Sequence, residues 1–477
     1  MEVTMKKLLL LILLFTATAL KGVDQVPSLA DLTTKAMVNY DLDQFSRLNF
    51  KEESLPTELK EKLKKELQPM LWEFAHIKRL QGHTKFIALA ISSDNRFIVT
   101  GSSDSTAQVW DAQTGALLHT LQGHTNRISS VAISPDTKFI VTGSWDSTAR
   151  IWDLQTGALL NTLQGHIRGI TSVAISPDTK FIVTGSNDGK ARIWDAQTGA
   201  LLHTLQGHAT QVSSVAISPD TRFIVTGSGD STARIWDVQT GALLHTLQGH
   251  TNRISSVAIS PDTKFIVTGS WDTTARIWDA QTGALLNTLQ GHTNEVDSVA
   301  ISPDTRFIVT GSDDCTARIW EAQTGALLNT LQGHAGWVRS VAISPDTRFI
   351  ATGSYDRTAR IWDVQTGALL HTLQGHTNEV CSVAISPDTR FIVTGSYDNT
   401  ARIVSITHLI NTLSLEQLMF IKTLQNHAKK HPNGFQLTLE QAELFYTLPG
   451  DLPQKLVAAY KISVRLSMIC GNKRKRS

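Results

Sequence analysis

A chain of 477 residues can bury one large repeat domain or two to three ordinary ones, and its 44 Lys+Arg against 42 Asp+Glu leave a net charge of only +2. That balance supplies no global field for gripping nucleic acid or an anionic membrane, and the single basic run, "KRKR" at 473–476, has the makeup of a solvated terminus. Three scattered cysteines, Cys315, Cys381 and Cys470, specify neither a disulfide framework nor a spaced ligand set, so no metal and no cofactor is expected.

At the N-terminus Lys6 and Lys7 precede an apolar run from Leu8 to Phe15, followed by Ala17-Thr18-Ala19. This is the charged, apolar and small-residue order of a signal peptide, so residues 1–19 are expected to direct export to a periplasmic or secreted location. The run is short for a bilayer, and the mature chain is expected to contain no membrane span; left uncleaved, the segment would act as an anchor. Residues 20–72 form a separate segment whose Leu55, Leu59, Leu63 and Leu67 put an apolar stripe against a Lys/Glu face, as in a short amphipathic helix. Its "PSLADL...LPTELKEKL" loosely resembles a SOCS-box or F-box-like helical segment over residues 27–68, while a cap packed beside the main domain is the simpler reading.

From residue 73 the pattern changes. Gly-His pairs end at His83, His124, His166, His208, His250, His292, His334 and His376, a first step of 41 residues and six of 42. Within the second unit "ISSVAIS", "KFIVTGS", "TARIWDL" and "ALLNTLQ" are separated by Pro, Asp, Gly, Thr and Gln. That reads as four short strands joined by turns, and such a unit must stack on a neighbour to bury its faces.

The recurring "GH...GSxD...IWD" resembles WD40 repeats over residues 73–405. The resemblance implies a closed, all-β, eight-bladed propeller in which each blade carries a buried His, hydroxyl, Asp and Trp network. In the second unit the network residues would be His124, Thr142, Asp146 and Trp152, with Ser144 as the alternative hydroxyl. In the third they would be His166, Thr184, Asp188 and Trp194. A hydroxyl, His and Asp set is also how a nucleophilic triad is built, but its repetition in every unit points to structure.

Strand counting supports closure. Eight units supply three strands each, but the "ALLHTLQ" type of fourth strand follows only seven, and none follows "ARIV" at 401–404. "AHIKRLQGH" at 75–83 aligns with "ALLHTLQGH" at 116–124 and supplies the missing strand, with a seven-bladed ring and one displaced unit as the competing reading. Val404 stands where seven units have Trp, so the eighth network is expected to need a water or an altered geometry.

By the same resemblance, the strand after Gly-His and the residue before the "GSxD" Asp face partners. Units three and four place small or neutral groups there; units five to eight place Arg253, Trp271, Glu295, Asp297, Asp313, Trp337, Arg339, Tyr355, Glu379 and Tyr397. Aromatic and Arg residues are the usual anchors of interfaces, and the acidic cluster could select a basic segment. A divalent ion at Glu295, Asp297 and Asp313 is a weaker reading than a solvated acidic patch.

Residues 406–477 read as a helical appendage, with helix starts at Ser414 and Thr438 and a third helix over 453–462. The expected function is a noncatalytic scaffold that binds protein or peptide, not nucleic acid, on one face. The competing readings are a chiefly structural envelope protein and an enzyme with a site in the channel, which would need a nonrepeating acid, base or nucleophile.

Overall fold

Why the eight units need one another is visible in how they pack. A computed structural model describes residues 76–84 and 86–405 together with scattered positions between 417 and 463. Residues 76–405 hold eight four-stranded antiparallel sheets, seven of them built from consecutive strands. Apolar residues of each sheet meet those of the next: Val141, Ile151 and Leu163 of blade 2 form one buried cluster with Ile170, Ile182 and Trp194 of blade 3. The core therefore lies between blades, where each buried Leu, Val or Trp contributes roughly 1.5–3 kcal/mol. No blade can bury these groups alone.

The repeated sequence provides the straps as well. Serine at the start of "ISSVAIS" is the extra residue of a bulge, since Ile128 pairs with Ser144 and Ser130 with Gly143. The bulged Ser129 hydroxyl reaches the Gly143 carbonyl at 3.1 Å, and the next Ser130 accepts from Val173 N–H of blade 3 at 3.1 Å. Gly143 itself is required by proximity: a Cβ there would lie 2.7 Å from methyls of Ile170 and Val173.

The ring closes as strand counting anticipated. The eighth sheet runs in the order His76–Gln81, Thr400–Ser405, Phe391–Ser396, Val380–Ile385, with Ile77 opposite Val404 and Leu80 opposite Ala401. Leu80 is buried with Ile98 and Trp110 of blade 1 and Phe391 and Ile403 of blade 8. Asp388 N–H also donates to Asn95 Oδ1 across this seam at 3.2 Å.

The chain divides into two compact units, 76–405 and the remaining 1–75 with 406–477. The N-terminal leader and the helices expected before residue 73 lie outside the described residues. In the second unit, helical Phe420, Ile421 and Leu424 are buried, as are Phe445, Leu452 and Leu456. Phe435–Gln436 pairs in parallel with Ile462–Ser463, so residue 462 belongs to a strand where the sequence pattern ran a helix to that point.

Candidate partner-binding face

The polar network was the first candidate for chemistry. In blade 2 His124 Nδ1 is 2.7 Å from Asp146 Oδ2, His124 Nε2 is 2.8 Å from Thr142 Oγ1, and Trp152 Nε1 donates to Thr142 Oγ1 at 2.9 Å. Blade 3 repeats this with His166, Thr184, Asp188 and Trp194 at 2.8, 2.8 and 2.9 Å. The hydroxyl is thus Thr142; Ser144 instead donates to the Asn126 carbonyl at 2.8 Å.

Donor counting fixes the protons. A carboxylate faces Nδ1, so Nδ1 donates and Nε2 accepts from the Thr hydroxyl, whose oxygen then takes the indole N–H. Asp146 also accepts from Thr125 N–H and from both donors of Thr148. Burial alone would raise its pKa, but the hydrogen bonds from His124 and Thr148 outweigh it and hold the carboxyl well below its usual range. Burial likewise lowers His166 and His334. The connectivity is that of a triad, yet Thr142 and Thr184 are fully buried and their oxygens are already occupied by an indole. No substrate carbonyl can reach them.

At Val404 the expected distortion is absent. His376 keeps 2.8 Å bonds to both Asp398 and Thr394, and Val404 is buried beside them. The hydroxyl donates to the imidazole whether or not an indole is present, so only the bond accepted from Trp is lost.

The candidate face is organised by one repeated backbone bond. The residue before each network Asp donates its N–H to the residue just before the innermost strand: Trp271 to Arg253 at 3.0 Å, Asp313 to Glu295 at 2.9 Å, Tyr355 to Trp337 at 2.9 Å and Tyr397 to Glu379 at 3.0 Å. These pairs therefore sit side by side at the same end of each blade. Trp337 stacks on Tyr355 with centroids 5.3 Å apart, and Tyr355 meets Tyr397 edge-on at 6.4 Å. Trp337 is 45% and Tyr397 37% exposed.

The acidic cluster is arranged differently from a solvated patch. Asp297 and Arg339 occupy the bulge positions where blades 2 to 5 place Ser or Thr. Asp297 takes the Trp271 indole N–H at 3.0 Å and a short ion pair from Arg339, which also stands 3.5 Å from Asp313. Asp313 is only 6% exposed, and its Oδ1 takes no hydrogen bond. Burial, and the neighbouring Asp297 and Glu295 carboxylates, push its pKa up to about 8 against the pull of Arg339. Arg253 lies 4.2 Å over the Trp271 ring. Asp297 and Asp313 are thus turned inward, the first answered by Arg339 and the Trp271 indole, leaving the aromatics as the outward part.

Sequence reasoning passed over blades 3 and 4 as small or neutral, yet their edge toward blade 2 is not featureless. A groove of about 750 Å³ lies over blades 2 to 4, lined by Trp145, Ile167, Arg168, Asn187, Thr210 and Gln211 among others. The signal was present in the repeats: "HIRG" at 166–169 departs from the "HTNR" of units two and five.

Comparison with known proteins places these features in context. The WD domain, G-beta repeat model matches residues 74–111, 115–153, 325–363 and 367–405, and a WDR3 first beta-propeller domain model matches 151–322. The crystal structure of the computationally designed Ika8 protein aligns with a TM-score of 0.62 at 32% identity, over 68% of this chain and 98% of that one. Among curated proteins, a coatomer subunit beta'-1 of Arabidopsis thaliana is 50% identical over 8% of this chain and 4% of its own length. The transcriptional repressor rco-1 of Neurospora crassa is 39% identical over 12% and 9%. The pre-mRNA-splicing factor PRP46 of Eremothecium gossypii is 37% identical over 13% and 14%. The matched stretches are thus a small part of these relatives.

These relatives overturn the expectation of an exported protein. Coatomer, transcriptional repression and pre-mRNA splicing are work done inside the cell, not in a periplasm or outside it. The export reading rested on two lysines, an eight-residue apolar run and the small residues Ala17-Thr18-Ala19, a compositional pattern that another apolar terminus can satisfy.

Proposed function

Because the chain belongs to the WD40-repeat β-propeller family, we propose that it is a noncatalytic scaffold that binds a protein or peptide on the face carrying Trp271, Trp337, Tyr355 and Tyr397. The observation that carries this reading is the continuous aromatic array of blades 7 and 8, in which Trp337 and Tyr397 are exposed and Tyr355 is half-buried between them, whereas the network Trp residues of the blades are buried. Large, preordered aromatic surface gives contact area at little entropic cost, which is how interface anchors work. Arg253, stacked on Trp271, and Glu295 and Glu379 beside the array supply a polar rim. The absence of catalysis is supported by the burial of the Thr, His and Asp sets.

Capture from native extract by the full chain tests it. Trp337→Ala combined with Trp271→Ala should abolish recovery of a reproducible partner while circular dichroism stays unchanged. Undiminished recovery by the folded double variant would remove the array from the interface. Turnover of a substrate by the purified chain, lost on a single substitution in the channel, would favour an enzyme instead.

A further inference from the structure

The groove over blades 2 to 4 presents a chemistry opposite to that of blade 6. We propose that it is a second binding site, taking an acidic peptide segment in which an apolar side chain lies next to carboxylates. It shares the face of the aromatic array but stands independently of it.

Ile167 is the first sign. It is 80% exposed, whereas the same place after Gly-His holds Thr84, Thr125, Ala209, Thr251, Thr293, Ala335 and Thr377 in the other units. The position makes no demand for a large apolar group, so a bare isoleucine there has no use within the fold. Across the groove stands Trp145, 40% exposed. Together they offer two apolar surfaces for one inserted side chain.

The charges around them are positive. Arg168 is exposed and forms no ion pair among the described residues, and Arg127 stacks 3.3 Å from the Trp145 ring centroid rather than on a carboxylate. The one acid in the lining, Asp188, is already engaged by His166 at 2.8 Å and Arg192 at 3.2 Å. The free guanidinium of Arg168 in the lining, with the Arg127 cation held over Trp145 at its edge, makes the apolar surface complementary to carboxylates.

Glycine keeps the groove open. A Cβ on Gly169 would lie 3.0 Å from Trp145 Cα, and one on Gly189, where φ is +78, would lie 3.1 Å from the Thr210 carbonyl. Asn187 occupies the place filled by Trp145 in blade 2 and Trp271 in blade 5, so the groove exists because this blade has the smaller side chain. Asn187, Thr210 and Gln211 supply donors and acceptors for an extended backbone.

The test uses the full chain and a fluorescein-labelled, capped peptide of composition Gly-Asp-Leu-Asp-Glu-Leu-Gly, read by fluorescence anisotropy. Saturable binding is expected, weakening as salt rises from about 20 to about 300 mM. Arg168→Glu and the groove-filling Asn187→Trp should each weaken it about tenfold or more, Arg168→Lys should retain most of it, and Trp337→Ala should leave it unchanged. Asn187→Trp copies a residue that two other blades accommodate, so loss of fold does not obscure the result. The proposal is overturned by no saturable binding, by equal binding of a control peptide with Asn and Gln in place of its Asp and Glu, by indifference to both groove variants, or by a single-stranded oligonucleotide binding the groove more tightly than the peptide. Loss of partner capture on Trp337→Ala with no peptide binding would sink this site alone and leave the aromatic array standing.

Discussion

If His76–Gln81 is the fourth strand of blade 8, then Leu80 must hold the seam as firmly as its counterparts hold other blades. Leu80 is 2% exposed amid Ile98, Trp110, Phe391, Val393 and Ile403, and Leu163 occupies the matching place in blade 2 at 0%. Truncating either to Ala removes the same methyl groups and leaves a similar cavity, which costs about 2–5 kcal/mol. Leu80→Ala should therefore lower the unfolding free energy by about 3 kcal/mol, and Leu163→Ala by a similar amount. Equilibrium urea unfolding followed by tryptophan fluorescence measures both, and unchanged slopes license the comparison. A cost for Leu80→Ala within about 0.5 kcal/mol of zero, beside a full cost for Leu163→Ala, would refute closure by the N-terminal strand.

Three further outcomes follow from the blade chemistry. Thr142→Val strands both the His124 imidazole and the Trp152 indole, each at about 1–3 kcal/mol, whereas Thr394→Val strands only His376, so denaturation should show the first to be the more costly. Thr137 sits at φ 56 in a turn where the first unit uses Asn95, so Thr137→Asn should stabilise by a few tenths to about 1 kcal/mol, read as a higher urea midpoint. Asp313 holds its proton to about pH 8 when folded and releases it near the ordinary carboxylate value when unfolded, so it lowers stability as pH rises through that window. Asp313→Asn should accordingly raise Tm at pH 8 and lose that advantage near pH 4; a benefit that grew toward acid would reverse the assignment.

Much of the ring was legible because repetition turns chemistry into arithmetic. Counting fourth strands located the seam, and the phase of His124, Thr142, Asp146 and Trp152 identified the groups that meet. What the chain order concealed were contacts between blades. Asp297 and Arg339 are 42 residues apart and meet because they sit at the bulges of innermost strands in adjacent blades, so a row of acids became an internal ion pair. The effect of Val404 was overdrawn for a related reason: the Thr394 to His376 bond does not depend on the indole. Ile167 and Arg168 were visible as departures from the repeat, but the groove they border depends on Asn187 later in the same unit and on Gln211 of the next.

The aromatic array is tested most directly by hydroxyl-radical footprinting of the captured complex, reading oxidation of individual side chains with and without the partner. Trp337 and Tyr397 are the exposed aromatics of the array and should lose reactivity on binding, while the exposed Leu159 and Leu160 of an outer strand should keep theirs. Unchanged oxidation of Trp337 and Tyr397 in a saturated complex, with protection confined to the outer strands, would contradict recognition through this face.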